Sequence, residues 1–190
     1  KDLVGLTLRG SYFYREPSSL TYDNAQGNPV EISTRGPSPV ESKIYTIGGR
    51  VTGTPHPDHD LWFETDINRQ WDDNSESQLG TGTVQGGYGP EMKFNRDNYV
   101  LAHSWRAGFT TIDTTLTRNI TETFGRTIPP GTPGKVAGDP RTLKATNSIL
   151  DSRAVIPLGP VNATVGGQYW KAEMVDAVAV DKYQFVQWAL

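Results

Sequence analysis

The chain has 190 residues, a formal net charge of −3 and no cysteine. This length suits one domain. The lack of cysteine excludes disulfides and thiolate metal sites, and the weak negative charge gives no indication of nucleic-acid binding. Mean hydropathy is −0.51, and no stretch approaches the ~20 apolar residues of a membrane helix. A membrane β-barrel is still compatible with this composition, because its strands present an apolar residue to lipid only at every second position.

Both ends of the chain have the pattern of a strand that is interrupted within its length. Lys1 to Leu6 is already strand-like, and it lacks the charged head, apolar core and cleavage site of a signal peptide. The last segment, Tyr183–Leu190, also stops within a strand-like pattern. The sequence therefore predicts a piece of a longer protein.

Apolar residues recur with a period of two along most of the chain, which predicts strands and not helices. In the first segment, for example, Leu6 and Leu8 alternate with Thr7 and Arg9. The alternation predicts about eight strands, at residues 2–15, 42–54, 58–72, 96–107, 109–121, 145–157, 160–174 and 183–190. Several of them exceed the ~5–6 residues of an ordinary globular strand and match the ~9–11 residues of a membrane strand.

Long and short connections alternate between the predicted strands. Long polar loops occupy 16–41, 73–95 and 122–144, with a medium loop at 175–182, and tight turns lie at 54–57, 107–108 and 157–160. Transmembrane barrels show this alternation, because their periplasmic turns are short and their extracellular loops are long. We therefore predict an all-β, antiparallel up-and-down meander that forms about eight strands of a larger transmembrane β-barrel.

Aromatic residues are concentrated near the predicted strand ends. Tyr12, Tyr14, Trp71 and Tyr169 lie near loop ends, and Trp62 lies near a turn end. This distribution resembles the two aromatic girdles of a membrane barrel.

No arrangement of residues predicts catalysis or a metal site. His56, Asp58, His59 and Asp60 share a tight turn, but no further ligand is obvious. The acidic segment 72–76 resembles the start of a calcium loop and lacks the glycine and the final glutamate that such a loop needs. We therefore expect neither an enzyme nor a bound cofactor.

The long loops combine cationic and aromatic residues, which suit an anionic, aromatic ligand through Coulomb attraction and stacking. The candidate ligand-binding residues are Tyr88, Arg96, Arg126, Lys135 and Arg141. The alternative is that these are ordinary solvated loop residues.

Several segments resemble ferric enterobactin-type receptors of the TonB-dependent outer-membrane family. The resemblance covers roughly residues 42–190 and rests on the combination of short segments, since each alone is common. These segments are Asp72–Glu76, Gln78–Gly80, Gly86–Met92, Asn98–Leu101, Gly125–Pro129, Asn147–Ser152, Ile156–Gly159, Val165–Met174 and Gln187–Leu190.

The resemblance implies a 22-stranded barrel in the outer membrane of a Gram-negative bacterium, filled by a plug domain and embedded in the lipid bilayer. It implies TonB-dependent uptake of a ferric siderophore, with catecholates favoured, and makes Arg126 the leading ligand contact. Residues 1–190 would then be part of one barrel domain, with the plug and its TonB contact outside them.

Two other interpretations remain open at this point. Eight strands can close into a complete small outer-membrane barrel, which would serve as an adhesin or a structural protein. The same strands could also form a soluble β-sandwich that acts as a binding domain.

Overall fold

The computed structural model describes residues 3–16, 22–23, 26, 29–30, 41–73, 88–176, 178 and 180–190. These residues form ten strands: β1 (Val4–Arg15), β2 (Tyr22–Asp23), β3 (Pro29–Val30), β4 (Glu41–His56), β5 (His59–Asp73), β6 (Tyr88–Arg106), β7 (Thr111–Thr127), β8 (Pro140–Leu158), β9 (Val161–Asp176) and β10 (Val180–Ala189). In this part of the chain no helix is long and apolar enough to cross a membrane.

Eight strands make one antiparallel sheet in the order β1-β4-β5-β6-β7-β8-β9-β10, and β2 pairs with β3 in a separate small hairpin. Apart from that hairpin, each strand pairs with the next one along the chain. The prediction of an all-β, antiparallel up-and-down meander of about eight strands is therefore confirmed.

The two ends of the sheet are built differently. At the turn end, Pro57 and Asp58 alone separate β4 from β5, and Gly159 (φ +70°) begins the two-residue turn between β8 and β9. Glycine suits this turn because tight hairpins need a positive φ. At the loop end, residues 128–139 connect β7 to β8 and 74–87 connect β5 to β6, although 74–87 lies outside the described residues.

Three predicted strand limits at the loop end are wrong. β6 begins at Tyr88 and not at 96, β7 continues to Thr127 and not 121, and β8 begins at Pro140 and not 145. The predicted medium loop 175–182 is likewise only the short connection between Asp176 and Val180. Strand pairing continues here after the apolar alternation has stopped, because backbone hydrogen bonds do not require an apolar face.

One face of the sheet, called the apolar face, carries an unbroken apolar row. Paired residues of an antiparallel sheet lie on the same face. Following the pairs from β1 to β10 gives Leu6, Val51, Phe63, Leu101, Leu116, Leu150, Tyr169 and Trp188. All but Tyr169 belong to the exposed large hydrophobic residues, with Trp188 exposed to 73%. The sheet therefore presents a continuous apolar surface to its surroundings.

The sheet has almost no packed core. Among the described residues the buried hydrophobic ones are Met92, Ala102 and Ile128. A β-sandwich buries the inner faces of two stacked sheets, and apart from the two-residue strands β2 and β3 the described strands form no second sheet. A closed eight-stranded barrel is also not formed, because β1 and β10 stand at opposite ends of the strand order and no described pair joins them.

The loop-side limit of the apolar surface runs obliquely across the strands. It is marked by tyrosines of the apolar face: Tyr14 lies in the row of Trp71, Tyr45 pairs with Arg69, Tyr99 pairs with Thr65, and Tyr169 lies in the row of Phe63. Each successive tyrosine is therefore closer to the turn end. Charged residues of the same face follow the same line one step further toward the loops: Lys43, Arg69, Asp97, Arg118 and Lys171.

The inclination of this limit follows from the register. From Tyr14 to Tyr169 it falls by eight residues (71 minus 63), while the sheet order advances six strands from β1 to β9. Eight residues span about 26 Å along a strand, and six strand spacings span about 29 Å, so the limit is inclined by about 43°.

The opposite face, called the polar face, carries a charge cluster on β1, β4 and β5. Arg9 donates to Asp66 and, at 2.5 Å, to Glu64. Gly48 lies between Arg9 and Asp66 in the same row, and a Cβ there would overlap the Asp66 carboxylate. Glycine is therefore needed for Arg9 to reach across β4.

Trp62 also lies on the polar face, where the guanidinium of Arg50 sits 4.2 Å from the centre of its ring. The prediction that groups Trp62 with Tyr12, Tyr14, Trp71 and Tyr169 is therefore wrong, because those four residues lie on the apolar face. Trp105 shares a face with Leu101, lies near the turn end and is 41% exposed.

Candidate functional site

The loop ends of β6, β7 and β8 enclose an open recess of ≈ 360 Å³. Backbone and side chains from all three strands contribute to it, and cationic, anionic and aromatic groups are all present. Its lining is Gly89, Glu91, Phe124, Gly125, Arg126, Thr127, Pro140, Arg141 and Thr142.

A bulge turns Arg126 toward the polar face. The register between β7 and β8 shifts between Thr123 and Arg126, so that three residue steps on β7 match two on β8. Gly125 lies inside this bulge with φ +90°, and a Cβ there would overlap the backbone carbonyl oxygen of Glu91. Only glycine fits such a position. Simple alternation from Ile120 would place Arg126 on the apolar face, and the extra residue reverses this.

Arg126 pairs in register with Arg141 of β8, so two arginines lie side by side on the polar face. Arg141 is held by Asp176 at the end of β9, with Nε–Oδ1 at 2.9 Å and Nη2–Oδ2 at 2.6 Å. These side chains are only 19% and 14% exposed. Two parallel hydrogen bonds between a guanidinium and a carboxylate fix orientation as well as distance.

Electrostatics at this pair favour the charged forms. The hydrogen bonds from Arg141 hold the pKa of Asp176 below its ordinary value, and the backbone N–H of Val178 and the charge of Arg126 act in the same direction against burial. The pKa of Arg141 is raised, chiefly by its hydrogen bonds to Asp176. The pair therefore keeps the Arg141 guanidinium charged and the Asp176 carboxylate ionised.

The structure brings together only part of the predicted ligand set. Arg126 and Arg141 line the recess, and Tyr88 pairs with Arg126 through the backbone, although the side chain of Tyr88 lies outside the description. Arg96 lies on β6 in the row of Thr121, five residues before Arg126 along β7 (126 minus 121), and Lys135 is exposed in the connection 128–139. Neither of these two residues is among those that line the recess.

The connection above the recess is ordered by its own hydrogen bonds. Ile128, only 4% exposed, donates to the carbonyl of Asp139 at 2.8 Å and accepts from the N–H of Gly138 at 2.9 Å. The Thr132 hydroxyl donates to the Pro129 carbonyl at 2.8 Å. The hydrogen bonds of Ile128 therefore join the two ends of this connection directly beyond Thr127.

Sequence reasoning missed Asp176 and Glu91. Asp176 is 35 residues from Arg141 in the chain, and the pattern assigned it to a loop. One signal could have found it: an acidic residue at the end of a strand next to a strand that carries arginine at the same end. Glu91 reaches the recess only because β6 begins earlier than predicted.

Histidines gather at the opposite, turn end of the sheet. Nδ1 of His59 lies 2.9 Å from Nε2 of His103, and the ring of His56 lies 5.8 Å from that of His59. The His59 and His103 planes differ by 4° with centroids 5.2 Å apart, so the rings lie end to end and share a hydrogen bond. Within the described ranges no three His, Cys, Asp or Glu side chains are arranged to hold a metal ion.

The chain was compared with protein-family models, curated proteins and solved structures, and no match was found in any of the three. On the polar face, the guanidiniums of Arg126 and Arg141 can bind anionic oxygen atoms. Phe124 pairs with Lys93 and lies on the apolar face.

Proposed function

We propose that this chain forms part of the wall of an outer-membrane β-barrel that takes up ferric siderophores and belongs to the TonB-dependent receptor class. The barrel would have more than the eight strands of this sheet, and 22 by the sequence resemblance. Coupling to TonB and the preference for catecholates are proposed on that resemblance alone.

The observation that carries the membrane part is the oblique limit of the apolar surface. Barrel strands tilt by ~35–45° to the barrel axis. A flat bilayer therefore cuts the register of such a wall at the same angle, and the limit marked by Tyr14 and Tyr169 is inclined by about 43°. Tyrosines along this limit suit the membrane–water interface, where a ring and a hydroxyl are both accommodated.

The recess lies well beyond this limit. On β7 the limit passes near Arg118, and Arg126 follows seven ladder steps later, as counted on the paired strand β8 (148 minus 141). Seven steps span about 23 Å along the strand, or about 17 Å along the membrane normal at the inclination given above. The recess would therefore stand about 17 Å outside the bilayer, on the side with the longer loops.

Ligand binding is assigned to the recess through Arg126. Ferric catecholates are anionic and carry flat rings, so guanidinium groups attract them by charge and can stack on their rings through cation–π contact. Arg126 is half-buried and faces the polar side of the sheet beside Arg141, which gives an anionic ligand a site of positive charge.

Replacing Arg126 tests this assignment. Compared with the native protein produced in the same cells, the Arg126→Ala variant should bind ferric enterobactin about 10- to 100-fold more weakly. A hydrogen bond to a charged group contributes about 1.5–3 kcal/mol. Equilibrium binding and iron uptake are measured together. Unchanged binding and uptake of every ferric catecholate tested would contradict the assignment.

Arg153→Ala is the matched control. Arg153 also lies on the polar face, but near the turn end, where it is 3.4 Å from Asp113 and 61% exposed. Removing this arginine should leave the affinity for ferric enterobactin within about twofold of the native value, because surface ion pairs contribute little.

A further inference from the structure

Asp176 lies beside the recess but does not line it. Its carboxylate accepts two hydrogen bonds from Arg141 and a third, at 3.0 Å, from the backbone N–H of Val178. It is 14% exposed. Since it is not among the residues that line the recess, the carboxylate contacts the arginine from the side of β9, away from the recess.

The two arginines of the recess need such a partner. Arg126 and Arg141 are directly paired on neighbouring strands, and like charges directly opposite each other destabilise a sheet. A carboxylate on the next strand offsets this repulsion. The charge of Arg126 also contributes to the lowered pKa of Asp176, so both guanidiniums lie within electrostatic reach of it.

We propose that Asp176 is a positioning residue for the ligand site: it holds the guanidinium of Arg141 toward β9 and allows Arg126 to remain beside it on the polar face. The proposal rests on the proposed function and extends it. It divides the two arginines, with Arg126 as the ligand contact and Arg141 as part of the support.

The sign of one substitution tests the proposal. Asp176→Asn removes a negative charge near a site for an anionic ligand, so Coulomb attraction alone predicts tighter binding. Positioning predicts the opposite, about a tenfold loss of affinity for ferric enterobactin, because Arg141 loses its partner. Asp176→Glu keeps the charge pair and should recover most of that loss. Tighter or unchanged binding by the Asn variant would overturn the proposal.

A double-mutant cycle separates positioning from a general structural effect. If Asp176 acts through Arg141, then Arg141→Gln and Asp176→Asn should each reduce affinity, and the double variant should bind no more weakly than the weaker single variant. Residues in one hydrogen-bonded unit show such non-additivity. Losses that simply multiply would refute an action through Arg141.

A ligand-free measurement keeps this inference separate from the proposed function. Phenylglyoxal should modify Arg141 at least five times faster in the Asp176→Asn variant than in the native protein. Failure of the native protein to bind any ferric catecholate would reject the proposed function, whereas equal modification rates would reject the positioning role of Asp176.

Discussion

The polar face carries two arginine clusters that are built on different backbones. The lower cluster is the one on β1, β4 and β5, and the upper cluster is the one at the loop ends of β7, β8 and β9. In the lower cluster, Arg9 and Arg50 form ion pairs with Glu64 and Asp66 across strands whose register is regular. In the upper cluster, two arginines are paired on β7 and β8, and Arg141 binds a carboxylate on β9, beside a bulge and a recess.

Strand register decides whether the arginines of a cluster are matched by carboxylates or lie beside an open space. On a regular sheet the side chains of one face stand in fixed rows, so cations and carboxylates can be matched in number. A bulge adds a residue, bends the strand and opens space at the loop end. In the proposed barrel, the lower cluster would therefore be part of the wall and the upper cluster would be the ligand site.

A charge placed on the apolar face of the regular region should have the largest effect. Val51→Lys puts a cation on the apolar face of β4, six residues (51 minus 45) from the limit at Tyr45, and should destabilise a membrane-inserted barrel by about 2–4 kcal/mol, which is about 30- to 900-fold in the folding equilibrium. Urea titration of the native protein and of the variant in lipid vesicles measures the difference in their free energies of unfolding.

Thr52→Lys is its control at the same depth on the opposite face. It should change stability by less than about 1 kcal/mol, because the polar face does not meet lipid. Equal destabilisation by both lysines would mean that the two faces have the same surroundings, and the division of the sheet into wall and site would lose its basis.

Replacing one glycine in each cluster by alanine allows a direct comparison of the two clusters. Gly125→Ala introduces a Cβ against the backbone carbonyl of Glu91 at φ +90°, so the bulge must rearrange and Arg126 must turn. We expect about a tenfold loss in affinity for ferric enterobactin with the wall intact. Gly48→Ala meets only movable side chains and the Thr65 carbonyl at 2.9 Å, so it should lower thermal stability and leave affinity unchanged.

The measurements are binding and heat denaturation of both variants. The opposite pattern, with Gly48→Ala affecting affinity and Gly125→Ala affecting stability alone, would reverse the roles of the two clusters.

The smallest effect concerns pH at the upper cluster. The pKa of Asp176 is lowered in the folded protein, so its contribution is complete above the ordinary aspartate pKa of about 4 and is lost as pH falls through the lower folded value. Protection of the Val178 amide from hydrogen exchange, corrected for the intrinsic pH dependence, should stay constant from about pH 7 to 5.

The same protection should begin to fall below about pH 4 and should be lost as the pH falls through the lowered pKa of Asp176. Asp176→Asn should remove this acid limb, because asparagine does not titrate. A loss of protection that already occurs near neutral pH, or one that persists in the Asn variant, would assign the change to another group.

The sequence predicted the sheet well because its signals are local. Leu6, Phe63 and Leu116 each belong to an alternating segment, and the turns at Pro57 and Gly159 contain residues that require or favour a turn. Strand type, strand number and the antiparallel meander follow from such signals. Strand limits at the loop end did not follow, since the regular alternation of apolar and polar residues stops there while the backbone pairing continues.

The candidate site was predicted in part. Arg126 and Arg141 were identified by residue type, and both line the recess. Arg96 and Lys135 have the same chemistry and are not brought to it. Residue type alone cannot separate these pairs, because position on a face depends on register.

By itself the sequence determined the β-strands, their order and the apolar face, since these depend on side-chain alternation and turn chemistry within a few residues. Only the tertiary structure decided three things: the oblique limit of the apolar surface, the orientation of Arg126, and the pairing of Arg141 with Asp176. Each depends on which residues stand opposite one another across strands. A single extra residue at Gly125 changes that register without changing the composition of the segment.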